Sequence, residues 1–232
     1  MRSKLLTPLL ALFIATAASG TAQAPDKLHL DGESYRLNTN PLDSYFEEHP
    51  EQHPREADDG DNVVMSSGLW RGYIATFEVL GNTLRIRDFE VYRPSENREE
   101  RAQLVSEVDR FFPTPESRQM DWYSGILVLP TGEMKHYVHL NHGSVFDAYT
   151  LLRIEGGRVT DRAEMTGEEF IRFKHKQFEM FRQSNAYLEL VNELRDPEDE
   201  EQELDSFIFD YGGFVEHTML DFDAARAATG EN

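Results

Sequence analysis

The chain contains no cysteine, and this absence excludes several kinds of chemistry. Disulfide bonds, cysteine-ligated metals and thiol nucleophiles cannot form, and no cysteine is present to carry a lipid anchor. Disulfides matter most to small exported domains, whereas 232 residues are enough to bury a hydrophobic core without them.

Basic residues are scarce. The sequence has 23 Lys and Arg against 43 Asp and Glu, which gives a formal net charge of −20 at pH 7. Nucleic acids and anionic membrane surfaces attract proteins of the opposite sign, so neither is predicted as a partner. The excess of acidic residues is typical of a well-solvated surface, and it also favours attraction to a basic protein partner.

Established catalytic signatures are missing as well. The sequence has no glycine-rich nucleotide-binding pattern and no G-x-S-x-G nucleophile motif, and no cofactor is predicted. Any functional prediction therefore depends on looser clusters of residues.

The N-terminus has the pattern of a secretory signal peptide. Arg2 and Lys4 precede an apolar run over residues 5–18, and the small-residue site Ala22-Gln23-Ala24 follows. The run is too short and too interrupted to span a bilayer, which takes roughly 20 apolar residues. We predict a signal peptide over residues 1–24, cleavage after Ala24, no membrane insertion after cleavage, and export to the periplasm. The extracellular space is the alternative destination.

Alternating apolar and polar residues predict a sheet built from β-hairpins. These hairpins are predicted at residues 28–37, 73–91, 126–140 and 148–163, with glycine-containing turns. Helices are predicted over residues 95–112 and from a capping box, Thr166-x-x-Glu169, onward.

The remaining segments are predicted from their composition. Residues 47–62 are predicted as an exposed loop, residues 196–205 as a solvated linker or frayed helix end, and residues 207–222 as an edge strand that packs back. The sequence thus predicts one α+β domain over residues 25–222, an antiparallel β-meander sheet packed against two or three helices. A disordered tail is predicted at residues 223–232.

Two groups of histidines are candidates for binding a metal. His136, His139 and His142 are spaced three apart, but side chains alternate along a strand, so His139 and His142 converge only if His142 lies in a loop. His49 and His53 would share one face of a helix, although two prolines argue against a regular helix there. The alternative for both groups is a set of scattered surface residues.

Residues 136–147 also contain the residue types of a hydrolase. Ser144 could act as a nucleophile, His139 or His142 as its base, and Asp147 as the carboxylate that orients the base. Closeness in sequence does not identify such a site. A cell-envelope hydrolase or metal-dependent enzyme that uses this region is therefore the alternative function.

Aromatic residues near the starts of predicted hairpins form a binding candidate. If exposed, Trp70, Tyr73, Trp122 and Tyr123 would give a flat surface for sugar rings or for a protein partner, with Arg71 anchoring a carboxylate. The alternative is that these aromatic rings belong to the hydrophobic core.

Two segments resemble a set of uncharacterised bacterial proteins with an NPLxxYF helix and a WRGYIA-type strand. These segments are Asn40-Pro41-Leu42-x-x-Tyr45-Phe46 and Trp70-Arg71-Gly72-Tyr73-Ile74-Ala75. The resemblance covers residues 35–165 and implies a shared fold, with no activity to transfer. The sequence predicts an exported, non-enzymatic binding or interaction protein, such as an immunity-type inhibitor of a basic partner.

Overall fold

The computed structural model of the chain describes residues 24–57, 68–95, 102–138, 142–194, 201–211 and 214. The strands are β1 (Lys27–Leu30), β2 (Glu33–Arg36), β3 (Tyr73–Leu80), β4 (Thr83–Arg93), β5 (Gln103–Ser106), β6 (Gly125–Pro130), β7 (Met134–His136), β8 (Val145–Phe146), β9 (Ala148–Glu155) and β10 (Arg158–Thr166). The helices are α1 (Asp43–Glu48), α2 (Pro54–Ala57), α3 (Val108–Phe111), α4 (Gly167–Phe181), α5 (Asn185–Leu194) and α6 (Glu201–Tyr211), and a 3-10 turn covers Pro50–Gln52.

Several predictions lie outside the described residues. They are the signal peptide up to residue 23, the tail at 223–232, His139, residues 58–62 and 196–200 of the two acidic segments, residues 96–101 of the predicted helix, and residues 212–213 and 215–222 of the predicted edge strand.

Most strands belong to one large sheet packed with helices, which confirms the predicted α+β class. The strand order is β2-β1-β3-β4-β10-β9-β6, with β5 paired to β4. Neighbouring strands are antiparallel except β1 and β3, which run parallel. The sheet is therefore not a simple meander.

The hairpin predicted over residues 126–140 is wrong. β6 pairs with β9, and β7 pairs instead with β8 in a separate two-stranded sheet. All six residues of β6 are buried, whereas all three residues of β7 are exposed. β6 is apolar on both faces, so both of its faces must be covered by other residues. The largely buried β9 lies in a position that is covered on both faces, and β6 pairs with it.

The other three predicted hairpins are confirmed, and their turns contain the expected glycines. Asp31 and Gly32 both have positive φ, at 53° and 87°, as a tight two-residue turn requires. At Gly157 φ is +70°, and a Cβ atom would lie 2.5 Å from the Met120 carbonyl oxygen. Only glycine fits that position without displacing the backbone.

Hydrophobic residues cover both faces of the sheet. One cluster joins β1, β3, β4, β6 and β9 to α1, and Tyr73, Phe77 and Phe89 are among its fully buried side chains. The second cluster lies under α4, α5 and α6 and includes Phe173 and Phe214. Each fully buried phenylalanine contributes roughly 1.5–3 kcal/mol to folding, so the sheet is stabilised from either side.

The sheet curls until its two ends meet. Asn38, two residues after β2, donates its backbone N–H to the carbonyl oxygen of Val128 in β6 at 2.8 Å. The Val128 amide nitrogen lies 3.5 Å from the hydroxyl oxygen of Thr39, which is 1% exposed. The path from β2 to β6 therefore approaches a closed barrel around the first hydrophobic cluster.

The start of α4 follows its sequence signal. α4 begins at the predicted capping box, where Thr166 Oγ1 accepts from the Glu169 N–H and the Glu169 carboxylate accepts from the Thr166 N–H. The edge strand predicted from residue 207 is wrong for residues 207–211, which belong to α6. Leu204 and Ile208, four residues apart, are both buried there, as a helix requires.

No helix in the described part of the chain is long and apolar enough to cross a membrane.

Two further predictions are wrong in their described parts. The helix predicted over residues 95–112 contains β5 and the short α3, because β5 pairs with β4 and the Arg93 guanidinium bonds Glu107 beside that strand. The loop predicted over residues 47–62 is helical over much of 47–57. Pro50 and Pro54 each begin a short helical segment there, since proline fits the first turn of a helix.

Candidate functional site

A buried ion pair lies where the chain enters β1. Asp26 is fully buried and accepts hydrogen bonds from Arg71, from Nη1 to Oδ2 at 2.8 Å and from Nη2 to Oδ1 at 3.0 Å. The Ala75 N–H donates to Oδ1 at 2.8 Å. Burial by itself lowers the pKa of Arg71, but the Asp26 carboxylate outweighs it and holds that pKa well above its ordinary value. The carboxylate predicted as a ligand for Arg71 is thus supplied by the chain itself.

Tyr73 lies beside this ion pair and is 1% exposed. The Arg71 guanidinium carbon stands 4.8 Å from the Tyr73 ring centroid, and the Tyr73 hydroxyl donates to Asp43 at 2.9 Å. Burial and then the negative charge of Asp43 raise the pKa of Tyr73, so its hydroxyl stays protonated. Tyr73 and Tyr123, which is 5% exposed, are core residues, the alternative that the sequence left open for them.

His49 and His53, the predicted metal pair, contact different rings. The His53 ring lies 5.1 Å from that of Phe46, and its Nδ1 accepts from the Arg55 N–H at 3.3 Å. Burial and then the positive charge of Arg55 lower the pKa of His53 to about 4, so its ring is neutral at pH 7. His49 packs instead against Tyr45.

His142 has a structural partner. Its Nε2 lies 3.0 Å from Asn40 Oδ1. Burial and then the positive charges of Arg71 and Arg36 lower the pKa of His142 to about 3. A neutral ring that donates through Nε2 to the amide oxygen accounts for this contact, and it ties the segment before β8 to the start of α1.

Ser144, His142 and Asp147, the described residues of the predicted hydrolase site, each bond a residue outside that site. Ser144 Oγ accepts from the Val138 N–H at 3.1 Å, and the exposed Asp147 pairs with Lys135 Nζ at 2.8 Å. His142 bonds Asn40. Within the described ranges, no hydrogen bond joins Ser144, His142 and Asp147, so they do not form the nucleophile–base pair of a hydrolase.

His136, the first residue of the predicted metal cluster, is exposed at the end of β7. The part of the chain that the structure describes has no group of three or more His, Asp or Glu that could hold a metal ion.

A partly exposed surface formed by Trp122, Tyr45 and His49 lies against the first hydrophobic cluster, and we call it the aromatic patch. Trp122 is 37% exposed, and its ring centroid lies 5.2 Å from that of Tyr45. The Tyr45 ring lies 4.8 Å from that of His49. α1 places Tyr45 and His49 on one face through their i, i+4 spacing, and Trp122 comes from the turn before β6.

Acidic residues flank the aromatic patch in the sequence. Those exposed in the adjoining segments are Glu47, Glu48, Glu51 and Asp121. The Tyr45 hydroxyl donates to Gln52 Oε1 at 2.6 Å, and burial and then the negative charge of Glu51 raise the pKa of Tyr45. Residues 42–54 contain no Lys or Arg. Aromatic faces and carboxylates both attract cations, so this surface suits a lysine or arginine side chain.

Comparisons with known proteins supply no functional residue for this site. Neither a family model, nor a curated protein, nor a solved structure matches the chain. The interpretation therefore depends on the geometry alone, and the resemblance to bacterial proteins with the NPLxxYF and WRGYIA segments stays a prediction.

Sequence reasoning identifies Trp122 but misses Tyr45. The sequence places Tyr45 in the NPLxxYF segment without marking it as a binding residue, yet its ring reaches the surface beside Trp122. The i, i+4 spacing of Tyr45 and His49 beside glutamates is the signal that could have found it. Trp70 is partly covered, because the Arg55 guanidinium carbon lies 4.5 Å from its ring centroid.

Proposed function

We propose that the protein is exported to the periplasm, or beyond it to the extracellular space, and binds a basic protein partner without catalysing a reaction. An immunity-type protein that neutralises a basic toxin is one form of this function. The observation that carries the proposal is the aromatic patch, where the exposed Trp122 contacts the half-buried Tyr45 and exposed acidic residues adjoin both in the sequence.

The aromatic patch has the chemistry of a cation-binding surface. A lysine or arginine over an indole ring contributes about 0.5–1 kcal/mol when exposed and about 2 kcal/mol when desolvated. The Tyr45 ring packs against Phe112, with 5.9 Å between the ring centroids, and its hydroxyl donates a hydrogen bond to Gln52. A surface that is already ordered loses little conformational entropy on binding, so more of the interaction energy remains as affinity.

The charge of the whole chain supports the same kind of partner. A formal net charge of −20 attracts a basic protein over distance and speeds its association, most strongly at low salt. Long-range attraction does not select one basic protein over another. Contacts at the aromatic patch would provide that selection, since tryptophan is enriched among the residues that dominate interface energies.

A pull-down from the native cell envelope tests the proposal. Tagged protein is incubated with the envelope extract at low and at high salt, and bound proteins are identified by mass spectrometry. We expect one basic protein that binds at low salt and is released at high salt. Trp122→Ala should weaken its binding by about tenfold or more. Leu188→Ala, which truncates an exposed apolar side chain on α5, is the matched control and should bind normally.

A charge variant distinguishes long-range electrostatic attraction of the partner from direct contact at the aromatic patch. Glu51→Gln should slow association with the captured partner and reduce its salt dependence, with a smaller change in dissociation. Wild-type affinity in Trp122→Ala would contradict the role of the aromatic patch. Capture of no basic protein at low salt would contradict the proposed function itself.

A further inference from the structure

Ala24, the residue after which cleavage is predicted, takes part in the fold. Its backbone N–H donates to the Gly68 carbonyl oxygen at 2.8 Å, and its carbonyl oxygen accepts from Arg71 Nη2 at 3.3 Å. Only Pro25 separates it from the fully buried Asp26. β1 begins one residue later and lies inside the sheet, between β2 and β3.

Cleavage of the Ala24–Pro25 bond would damage this arrangement. Both hydrogen bonds of Ala24 would be lost, and the Pro25 nitrogen would become a charged secondary amine next to the Asp26–Arg71 pair. Within the described part of the chain, Arg71 Nε already has no hydrogen-bond partner. Loss of the Ala24 oxygen would take an acceptor from a side chain that is 8% exposed, and buried N–H groups without acceptors destabilise a fold.

The sequence around Ala24 offers other cleavage positions. Pro25 makes the bond after Ala24 a tertiary amide, and the proline Cδ crowds the preceding residue. Small residues at the first and third positions before the cleaved bond are the pattern that signal peptides need. Gly20 and Ala22 supply this pattern for cleavage after Ala22, and Ala18 and Gly20 supply it for cleavage after Gly20.

We infer that the leader is removed upstream of Ala24, so that Ala24 stays on the mature protein as the donor to Gly68 and an acceptor for Arg71. The Ala22–Gln23 bond is the expected site. The inference rests on the proposed export, because a chain that is never exported has no leader to remove.

Mapping the mature N-terminus tests this inference. The full chain, residues 1–232 with a C-terminal tag, is expressed in a Gram-negative bacterium and recovered from the periplasmic fraction. Mass spectrometry then identifies its first peptide, including one with a cyclised N-terminal glutamine. A first residue from Ala18 to Ala24 supports the inference, and Gln23 is expected. A first residue of Pro25 overturns it and leaves export intact. A chain that keeps Met1 in the cytoplasm overturns both.

A stability comparison tests the structural reason. Chains that begin at Gln23 and at Pro25 are released from a cleavable fusion and melted in parallel. The chain that begins at Pro25 should melt about 3–6 °C lower, because it lacks both hydrogen bonds of Ala24. Gln23→Ala in the longer chain is the control and should not change the melting temperature. Equal melting temperatures for the two starts would overturn the role assigned to Ala24.

Discussion

Replacing Arg71 with methionine should destabilise the fold strongly. Arg71→Met keeps an unbranched side chain but leaves the buried Asp26 carboxylate with the Ala75 N–H in place of three donors. Removing one partner of a buried ion pair costs about 3–5 kcal/mol, out of a typical total stability of about 5–15 kcal/mol. At about 2–4 °C per kcal/mol for a chain of this size, the melting temperature should fall by about 6–20 °C.

Urea unfolding followed by circular dichroism measures this loss, and a double variant checks its origin. Asp26→Leu combined with Arg71→Met should recover much of the stability, because it leaves no charge buried without its partner. Arg87→Met is the control, since Arg87 pairs with Glu78 at 3.7 Å on the surface and should contribute less than about 1 kcal/mol. A similarly small effect of Arg71→Met would refute the reasoning.

Three further predictions concern contacts elsewhere in the fold. Thr166→Ala should lower the free energy of unfolding by about 1 kcal/mol, because α4 loses its capping hydroxyl; unchanged urea unfolding would contradict the capping box. His142→Gln should flatten the pH dependence of stability. The pKa of His142 is about 3 in the folded protein and about 6.5 in the unfolded chain, so the wild-type protein has its full stability above pH 6.5 and loses about 1–2 kcal/mol by pH 5. The same slope in the variant would argue against a ring that stays neutral in the folded protein. Asp205→Asn should speed amide hydrogen exchange in α6, because Asp205 accepts from the Tyr187 hydroxyl at 2.5 Å and pairs with Arg182 at 3.1 Å; unchanged exchange would exclude that anchoring role.

Elements that depend on nearby residues could be predicted from the sequence. The hairpins that turn at Gly81 and at Gly156-Gly157 and the start of α4 at Thr166 each depend on residues within a few positions of one another. The pairing of β1 with β3 and of β6 with β9 joins segments far apart in the chain. Alternation of apolar residues identifies a strand but not its neighbour, so these pairings needed the structure.

The candidate site could be predicted only in part, for the same reason. The sequence singles out Trp122 and Tyr73 as aromatic residues near strand starts, and nothing in the pattern distinguishes the exposed ring from the buried one. Arg71 is predicted to anchor the carboxylate of a ligand, whereas in the structure it pairs with Asp26, which lies 45 residues earlier in the chain. Distant polar partners of this kind leave no periodic signal.

The meeting of the two sheet ends also protects the protein from aggregation. β6 is the last strand on the path, and it is apolar throughout, which is the type of edge that recruits strands from other molecules and seeds fibres. Residues 38 and 39 occupy both the amide and the carbonyl of Val128. An incoming strand would have to displace a segment of the same chain that is tethered beside its target. The chain thus carries its own competitor against pairing between copies at β6.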